Sequence, residues 1–158
     1  MGPSGSGKTT LLNLLATIDT PTSGTVWVDG VNVSKLRGEA LAAFRRKKLG
    51  FVFQDYNLLD SLSIGENIAL PLVLDRKPPS FIKKRVKEIS TQLGIEALLD
   101  RFPYEVSGGQ QQRAAIARAI VHEPALILAD EPTGNLDSRS ARALMDTFTL
   151  INSTVETT

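Results

Sequence analysis

The segment Gly2-Pro3-Ser4-Gly5-Ser6-Gly7-Lys8-Thr9 constrains the rest of the chain more than any other, because it matches G-x-x-x-x-G-K-[ST] at every fixed position. Gly2, Gly5 and Gly7 let the backbone bring its N–H groups close around phosphate oxygens. Lys8 adds a charge that reaches the outer phosphates, and the Thr9 hydroxyl can ligate a Mg2+ ion. The loop must open a helix, and the residues after Thr10 supply one. Leu11, Leu12, Leu14, Leu15 and Ile18 recur at helical spacing, predicting a helix over residues 8–18 with one buried side. The ligand expected at residues 2–10 is a nucleoside triphosphate, with ATP the first choice. The strand that normally holds such a loop is expected upstream of Met1, so the sequence reads as cut there.

Downstream the hydrophobic period changes repeatedly. Residues 25–28 and 31–33 alternate around Asp29-Gly30, the signal of a tight antiparallel hairpin. A helix is predicted over 39–48, then a short buried strand over 49–53 that delivers Gln54 to its end. Ser63 and Glu66 have capping-box spacing and start a helix toward Leu74. Residues 75–80, with Pro78-Pro79, read as a linker, and 81–93 as a helix stopped by Gly94. Ser107-Gly108-Gly109-Gln110 repeats the capping-box spacing before a helix that runs through Arg118 and is broken by His122-Glu123-Pro124. Residues 125–129 are wholly apolar, as in a central parallel strand, and lead into Asp130-Glu131. A last helix is predicted over 137–150. Strands alternating with helices predict an α/β core with a parallel sheet, formed by 1–54 and 124–158, and a helical subdomain inserted over 55–123.

Composition closes off other classes. The 158 residues are 42% apolar and 22% charged, which is ordinary for one globular domain. Eighteen basic against seventeen acidic side chains leave a net charge of +1, so no global field recommends nucleic acid or an acidic membrane surface. The absence of cysteine excludes disulfides, zinc thiolates and thiol catalysis, and agrees with a reducing compartment. The longest apolar run, residues 68–74, contains Pro71 and is far short of the roughly 20 residues a membrane helix needs. No secretory signal is seen, so a cytosolic location is expected. Arg45-Arg46-Lys47-Lys48 and Lys83-Lys84-Arg85-Lys87 read as solvated helix faces, with lipid headgroups or nucleic acid as the alternative.

Two further motifs carry chemistry. Asp130 and Glu131 follow the apolar strand, where one carboxylate can hold Mg2+, directly or through water, while the other polarises the water that attacks a γ-phosphate. In Val106-Ser107-Gly108-Gly109-Gln110-Gln111-Gln112-Arg113, two glycines at a helix start expose N–H groups to an anion, and Ser107 can cap the helix or donate to phosphate. This segment closely resembles the signature of the ATP-binding-cassette (ABC) family, usually Leu-Ser-Gly-Gly-Gln, with Val106 in place of Leu. The resemblance covers nearly the whole chain. Gln54 matches the family's Q-loop glutamine, and Gly134-Asn135-Leu136-Asp137 its D-loop. Residues 130–137 look like the lipoprotein-release and macrolide-export branch, and residues 18–24 and 53–59 are more specifically similar to exporters of bacitracin and antimicrobial peptides.

The resemblance implies a P-loop NTPase (RecA-like) core and an ATPase motor subunit using ATP and Mg2+. Two such subunits would face each other head to tail, with ATP between the phosphate loop of one (Gly2, Pro3, Ser4, Gly5, Ser6, Gly7, Lys8, Thr9, Thr10) and Ser107, Gly108, Gly109 and Gln110 of the other. It assigns Glu131 and Gln54 to catalysis, Thr9, Gln54 and Asp130 to the metal, and Asn135, Leu136 and Asp137 to communication between the sites. A polytopic membrane permease would be the second partner, holding the subunit on the inner face of the plasma membrane; no nucleic acid is expected. The segment from Gln54 to Leu74 would dock on that permease, its apolar residues being otherwise core. The adenine-stacking aromatic is expected upstream of the phosphate loop and the switch histidine after Thr158, so the chain as it stands is expected to turn ATP over poorly. Trp27 and Tyr56 read as packing or surface residues, and His122, the only histidine, as a helix-end residue. Two alternatives stay open: a soluble or regulatory ABC ATPase acting on DNA, ribosomes or cell division, and a module that binds without turnover. Lys8→Ala removes the phosphate-directed charge and should weaken ATP binding; unchanged affinity in calorimetry would count against the site.

Overall fold

The computed structural model describes residues 6–129. In chain order these form α1 (Lys8–Leu15), a hairpin of β1 (Trp27–Val28) and β2 (Val31–Asn32), α2 (Gly38–Lys48), β3 (Leu49–Val52), α3 (Ile64–Leu74), α4 (Pro79–Gln92), α5 (Gly108–Ile120) and β4 (Leu126–Ala129). The hairpin closes through Asp29 and Gly30, with φ 48° and 70°. Two successive left-handed residues are what a two-residue turn requires to match the strand twist. β3 and β4 pair in parallel, Leu49 opposite Leu126 and Val52 opposite Ala129.

The main core lies where α3 and α5 cover this parallel pair. In α3, Ile64, Ile68 and Leu72 are buried at four-residue spacing, against Val52 of β3 and Ile116 and Ile120 of α5. Each such side chain contributes about 1.5–3 kcal/mol by leaving water. α5 is alanine-rich for a steric reason: it lies so close to β3 that a Cβ at Gly50 would run into the Ala119 carbonyl. Ala114, Ala115 and Ala117 are fully buried in the same helix. α4 covers the outer side with Val86 and Ile89 and ends in a left-handed Gly94, φ 65°. There the Gly94 N–H bonds to Thr91 O and the Ile95 N–H to Ser90 O, which caps the helix carbonyls as the sequence predicted. A second small core joins Val28, Val33, Phe44 and Leu49 under the hairpin.

The structure departs from the expected reading at the end of α1, in the burial of α1 and at the start of α4. α1 stops at Leu15 rather than Ile18, because Thr17 turns left-handed (φ 59°) and its hydroxyl accepts a 2.8 Å hydrogen bond from Arg45 Nε. None of α1's own residues is buried, and Leu11 and Ile18 are exposed. Among the described residues the parallel sheet has two strands, and of β4 only Leu128 is buried. α4 begins inside the predicted linker, with Pro79 at its first position, where a missing N–H costs nothing. Gly50→Ala should therefore lower stability by about 1–3 kcal/mol through overpacking, whereas Gly109→Ala, with open space at its Cβ position, should leave the urea midpoint unchanged or slightly higher.

Candidate functional site

The phosphate-loop residues within the described range stand at the head of α1. Gly7 is its N-cap with φ 82°, a left-handed conformation that glycine adopts without steric cost, and its carbonyl accepts the Leu11 N–H at 2.9 Å. The first turn carries no acidic residue. Ser6, Gly7, Thr9 and Thr10 are exposed and Lys8 half-buried. The positive end of the helix dipole thus faces outward with a cation and two hydroxyls beside it, a combination suited to an anion. Gly2, Pro3, Ser4 and Gly5 lie outside the described residues.

A second group gathers where β3 ends. Gln54 is exposed two residues beyond Val52. β4, in parallel register, ends at Ala129, so the chain passes from both strands toward the same edge, and in sequence Asp130 is next. Asp130, Glu131 and residues 135–137 lie outside the described residues. α5 runs antiparallel to these strands: Ala119 near its end packs on Gly50 at the start of β3, while Gly108 at its start lies by Tyr56, just past Gln54. A Cβ on Gly108 would sit 3.2 Å from the Tyr56 hydroxyl. The Gln110 side chain accepts the Ser107 N–H at 2.8 Å, and Gln110 and Gln111 donate their N–H groups to Ser107 O at 2.9 Å. Ser107 and Gly108 remain exposed, so this end of α5 also faces solvent with positive dipole.

The loop after Gln54 is held by two polar side chains. Tyr56 and Asn57 both have left-handed backbones, φ 59° and 48°, a conformation costing about 1–2 kcal/mol per residue. Their carbonyls converge on Arg118 of α5, which donates Nη2 to Tyr56 O at 2.8 Å and Nη1 to Asn57 O at 2.6 Å. Burial lowers the pKa of this guanidinium from its ordinary value. Farther along, the fully buried Asn67 accepts the Leu59 N–H at 2.8 Å and donates to the carbonyls of Leu59, Leu62 and Ser63 at 3.0–3.1 Å.

Beside this loop opens a groove of about 380 Å³ between α2, β3, α3 and α5. Its apolar surface includes Phe51 and Phe53, stacked at 5.8 Å, with Leu70, Pro71 and Leu74, while Arg45 and Arg118 supply charge. At its base His122 sets Nε2 3.0 Å from Leu49 O, and its Nδ1 is buried without a hydrogen-bond partner among the described residues. Burial pushes the imidazole pKa down; the Leu49 carbonyl and the charge of Asp75 oppose this without reversing it. Asp75 itself loses hydration at the end of α3, yet the Lys77 hydrogen bond and the charges of Lys47, Lys77 and Arg46 hold its carboxyl below the ordinary range. It pairs with Arg46 at 3.6 Å and Lys47 at 3.8 Å on α2, fixing one rim of the groove.

The profile described as ABC transporter matches residues 1–134. The chain belongs to the ABC transporter family. It is 59% identical over 96% of its length to the ABC transporter ATP-binding protein YxdL of Bacillus subtilis. It is 49% identical over its full length to the bacitracin export ATP-binding protein BceA of Halalkalibacterium halodurans. It spans 59% and 62% of those two relatives. Among solved structures, the ATP-binding cassette MJ0796 in a dimeric post-hydrolysis state with ADP and Pi superposes with a TM-score of 0.83 at 41% identity. That match covers 96% of this chain and 67% of the other. The fold is therefore that of the P-loop ATP-binding cassettes, as the motif order implied.

Within this ABC cassette, then, the described part brings the Gln54 loop and the Ser107 helix start together, with Lys8, Thr9 and Thr10 on a separate helix head. Two organising residues escape motif reading: Arg118 and Asn67. Each was marked only by being a polar side chain inside an apolar helix. The basic clusters are less solvated than expected, since Arg45 holds Thr17 and Arg85 reaches Val121 O at 3.1 Å and Glu123 at 2.9 Å. Tyr56 and Trp27 behave as packing and surface residues, Trp27 being 63% exposed. Because the folded state keeps His122 neutral below its ordinary pKa, the unfolded chain binds more protons as pH falls. Stability should decline below about pH 6.5, well before Asp75 titrates. His122→Gln should flatten the urea midpoint between pH 7 and 5.5; an unchanged slope would refute this origin, the chain having no second histidine.

Proposed function

We propose that this chain is the ATP-binding and ATP-hydrolysing motor of a bacterial ABC transporter, energising export or removal of a substrate through separate membrane subunits. The observation that carries the reading is the position of the Gln54 loop, which adjoins both the Ser107 end of α5 and an apolar groove. A motor must join nucleotide chemistry to a partner, and this loop touches both surfaces. ATP would lie between residues 2–10 of one subunit and Ser107, Gly108, Gly109 and Gln110 of a second subunit facing it head to tail. Lys8 and the two helix N-termini would neutralise the phosphates, the main contribution a protein makes to phosphoryl transfer.

Thr9 and Gln54 offer exposed neutral oxygens, a donor type that fits Mg2+, which takes few protein ligands and keeps phosphate oxygens and water. With Asp130 these residues would hold it, and bound there it would offset charge on the phosphates. Glu131 would orient and deprotonate the attacking water, and Asn135, Leu136 and Asp137 would pass the state of one site to the other. Residues 1–54 and 124–158 would act as the nucleotide-binding core and 55–123 as the helical subdomain.

The groove supports a membrane permease as partner, because Phe53 and Leu74 in its lining leave apolar surface exposed. On α3, Ile64, Ile68 and Leu72 face the core, while Leu70, Pro71 and Leu74 line the groove where a permease would dock. Among the described residues no helix is long and apolar enough to cross a membrane, so attachment to the inner face of the plasma membrane would run through that permease. Similarity to the bacitracin export protein makes an antimicrobial peptide the first substrate to test, and a lipoprotein the second. The groove favours this reading over a soluble or regulatory ABC ATPase. Glu131→Gln in the full-length protein should retain ATP, stall hydrolysis and accumulate ATP-bound dimers in size-exclusion chromatography; wild-type turnover would remove Glu131 as the base.

A further inference from the structure

We infer that Arg118 is a positioning residue that locks the Gln54 loop to the helix bearing Ser107, so that the two halves of the nucleotide machinery move as one body. The inference rests on the proposed ATPase reading and adds to it a specific mechanical link. Arg118 and Gly108 lie ten residues apart on α5, about 15 Å along its axis. The loop meets the helix near both points: the carbonyls of Tyr56 and Asn57 bind the guanidinium, and the Tyr56 hydroxyl fills the space beside Gly108, 3.2 Å from where a Cβ there would sit. A loop bonded to the helix at one end and lying close beside its other end follows the helix when it moves.

The chemistry of the contact explains why arginine stands there. Two successive left-handed residues present their carbonyls to one side chain, and the terminal nitrogens of a planar fork bind them together. A lysine ammonium keeps the charge but lacks the fixed separation between two donors. Arg118 also lines the groove, so a partner seated there would press on the residue that sets the loop. In a head-to-tail pair, Gln54 serves the subunit's own phosphate loop, while Ser107 serves the facing one. The Arg118 link would then make the two sites report on each other.

The test compares wild type, Arg118→Lys and Tyr56→Phe in the full-length protein, by ATP titration, steady-state hydrolysis and amide hydrogen exchange. Arg118→Lys should keep its ATP affinity and thermal midpoint while kcat falls roughly 10- to 100-fold, as for a displaced catalytic group. Exchange at residues 55–62 should rise at least about tenfold, and ATP-induced protection should no longer appear together at 55–62 and 107–111. Tyr56→Phe should weaken that joint protection with a smaller fall in kcat. Wild-type kcat and exchange in Arg118→Lys would overturn the link, as would equal losses of ATP affinity, kcat and thermal midpoint, which mark a general packing role. Should the wild type itself bind no ATP, the ATPase reading fails first and the link falls with it; wild-type binding and turnover with an unaffected Arg118→Lys sinks the link alone.

Discussion

Two parallel strands cannot be joined by a tight turn, and the rest of this structure follows from that restriction. Pairing Leu49–Val52 with Leu126–Ala129 obliges the chain over residues 53–125 to travel from the carboxyl end of β3 back to the amino end of β4. The return is made by α5, which must therefore run antiparallel to the strands and start near the edge at which they finish. Gln54 and the Ser107 helix start are thereby brought to neighbouring positions. They are separated by more than fifty residues in sequence, and no local preference would join them.

Close approach of α5 to β3 makes the return path rigid. Gly50 and the alanines of α5 remove side-chain bulk where the helix crosses the strand, and Ile64, Ile68 and Leu72 then seal the opposite side. A dry interface of this kind makes polar intrusions expensive unless they are fully bonded. Arg118 and Asn67 meet that requirement by spending their donors on backbone carbonyls of residues 56–63. The loop beyond Gln54 is consequently irregular in conformation yet tied down at several points, with left-handed Tyr56 and Asn57 tolerated because their carbonyls find a charged partner.

The same arrangement places the site next to a surface suited to a partner. Stacked Phe51 and Phe53 continue the face of β3 into the groove, and Asp75 binds the end of α3 to α2 at its rim. In the proposed reading, the nucleotide-facing and partner-facing groups would thus share α5 and one loop. The solved cassette that superposes on this chain is a dimer; in the proposed head-to-tail pair, the phosphate loop of a second copy would meet the exposed start of α5.

Much of this was legible in the residues alone, for physical reasons that act locally. The glycines and Lys8 of the first segment, the Asp29-Gly30 turn, the Ser63 and Glu66 box and the Gly94 stop each encode a conformation within a few residues, and the order of motifs identified the family. The chain could not disclose, by itself, that α1 would end at Leu15, that α4 would begin at Pro79, or that all four residues of the first basic cluster, with Arg85 and Lys87 of the second, would be tied to groups elsewhere in the chain. Nor could it show Arg118 reaching Tyr56 and Asn57, because the packing of α5 on β3 brings together groups more than sixty residues apart. Sequence determined the order of the motifs and hence the family; only tertiary packing decided which of those motifs share a rigid support, since that depends on the path of the crossover and the small side chains that let it lie close.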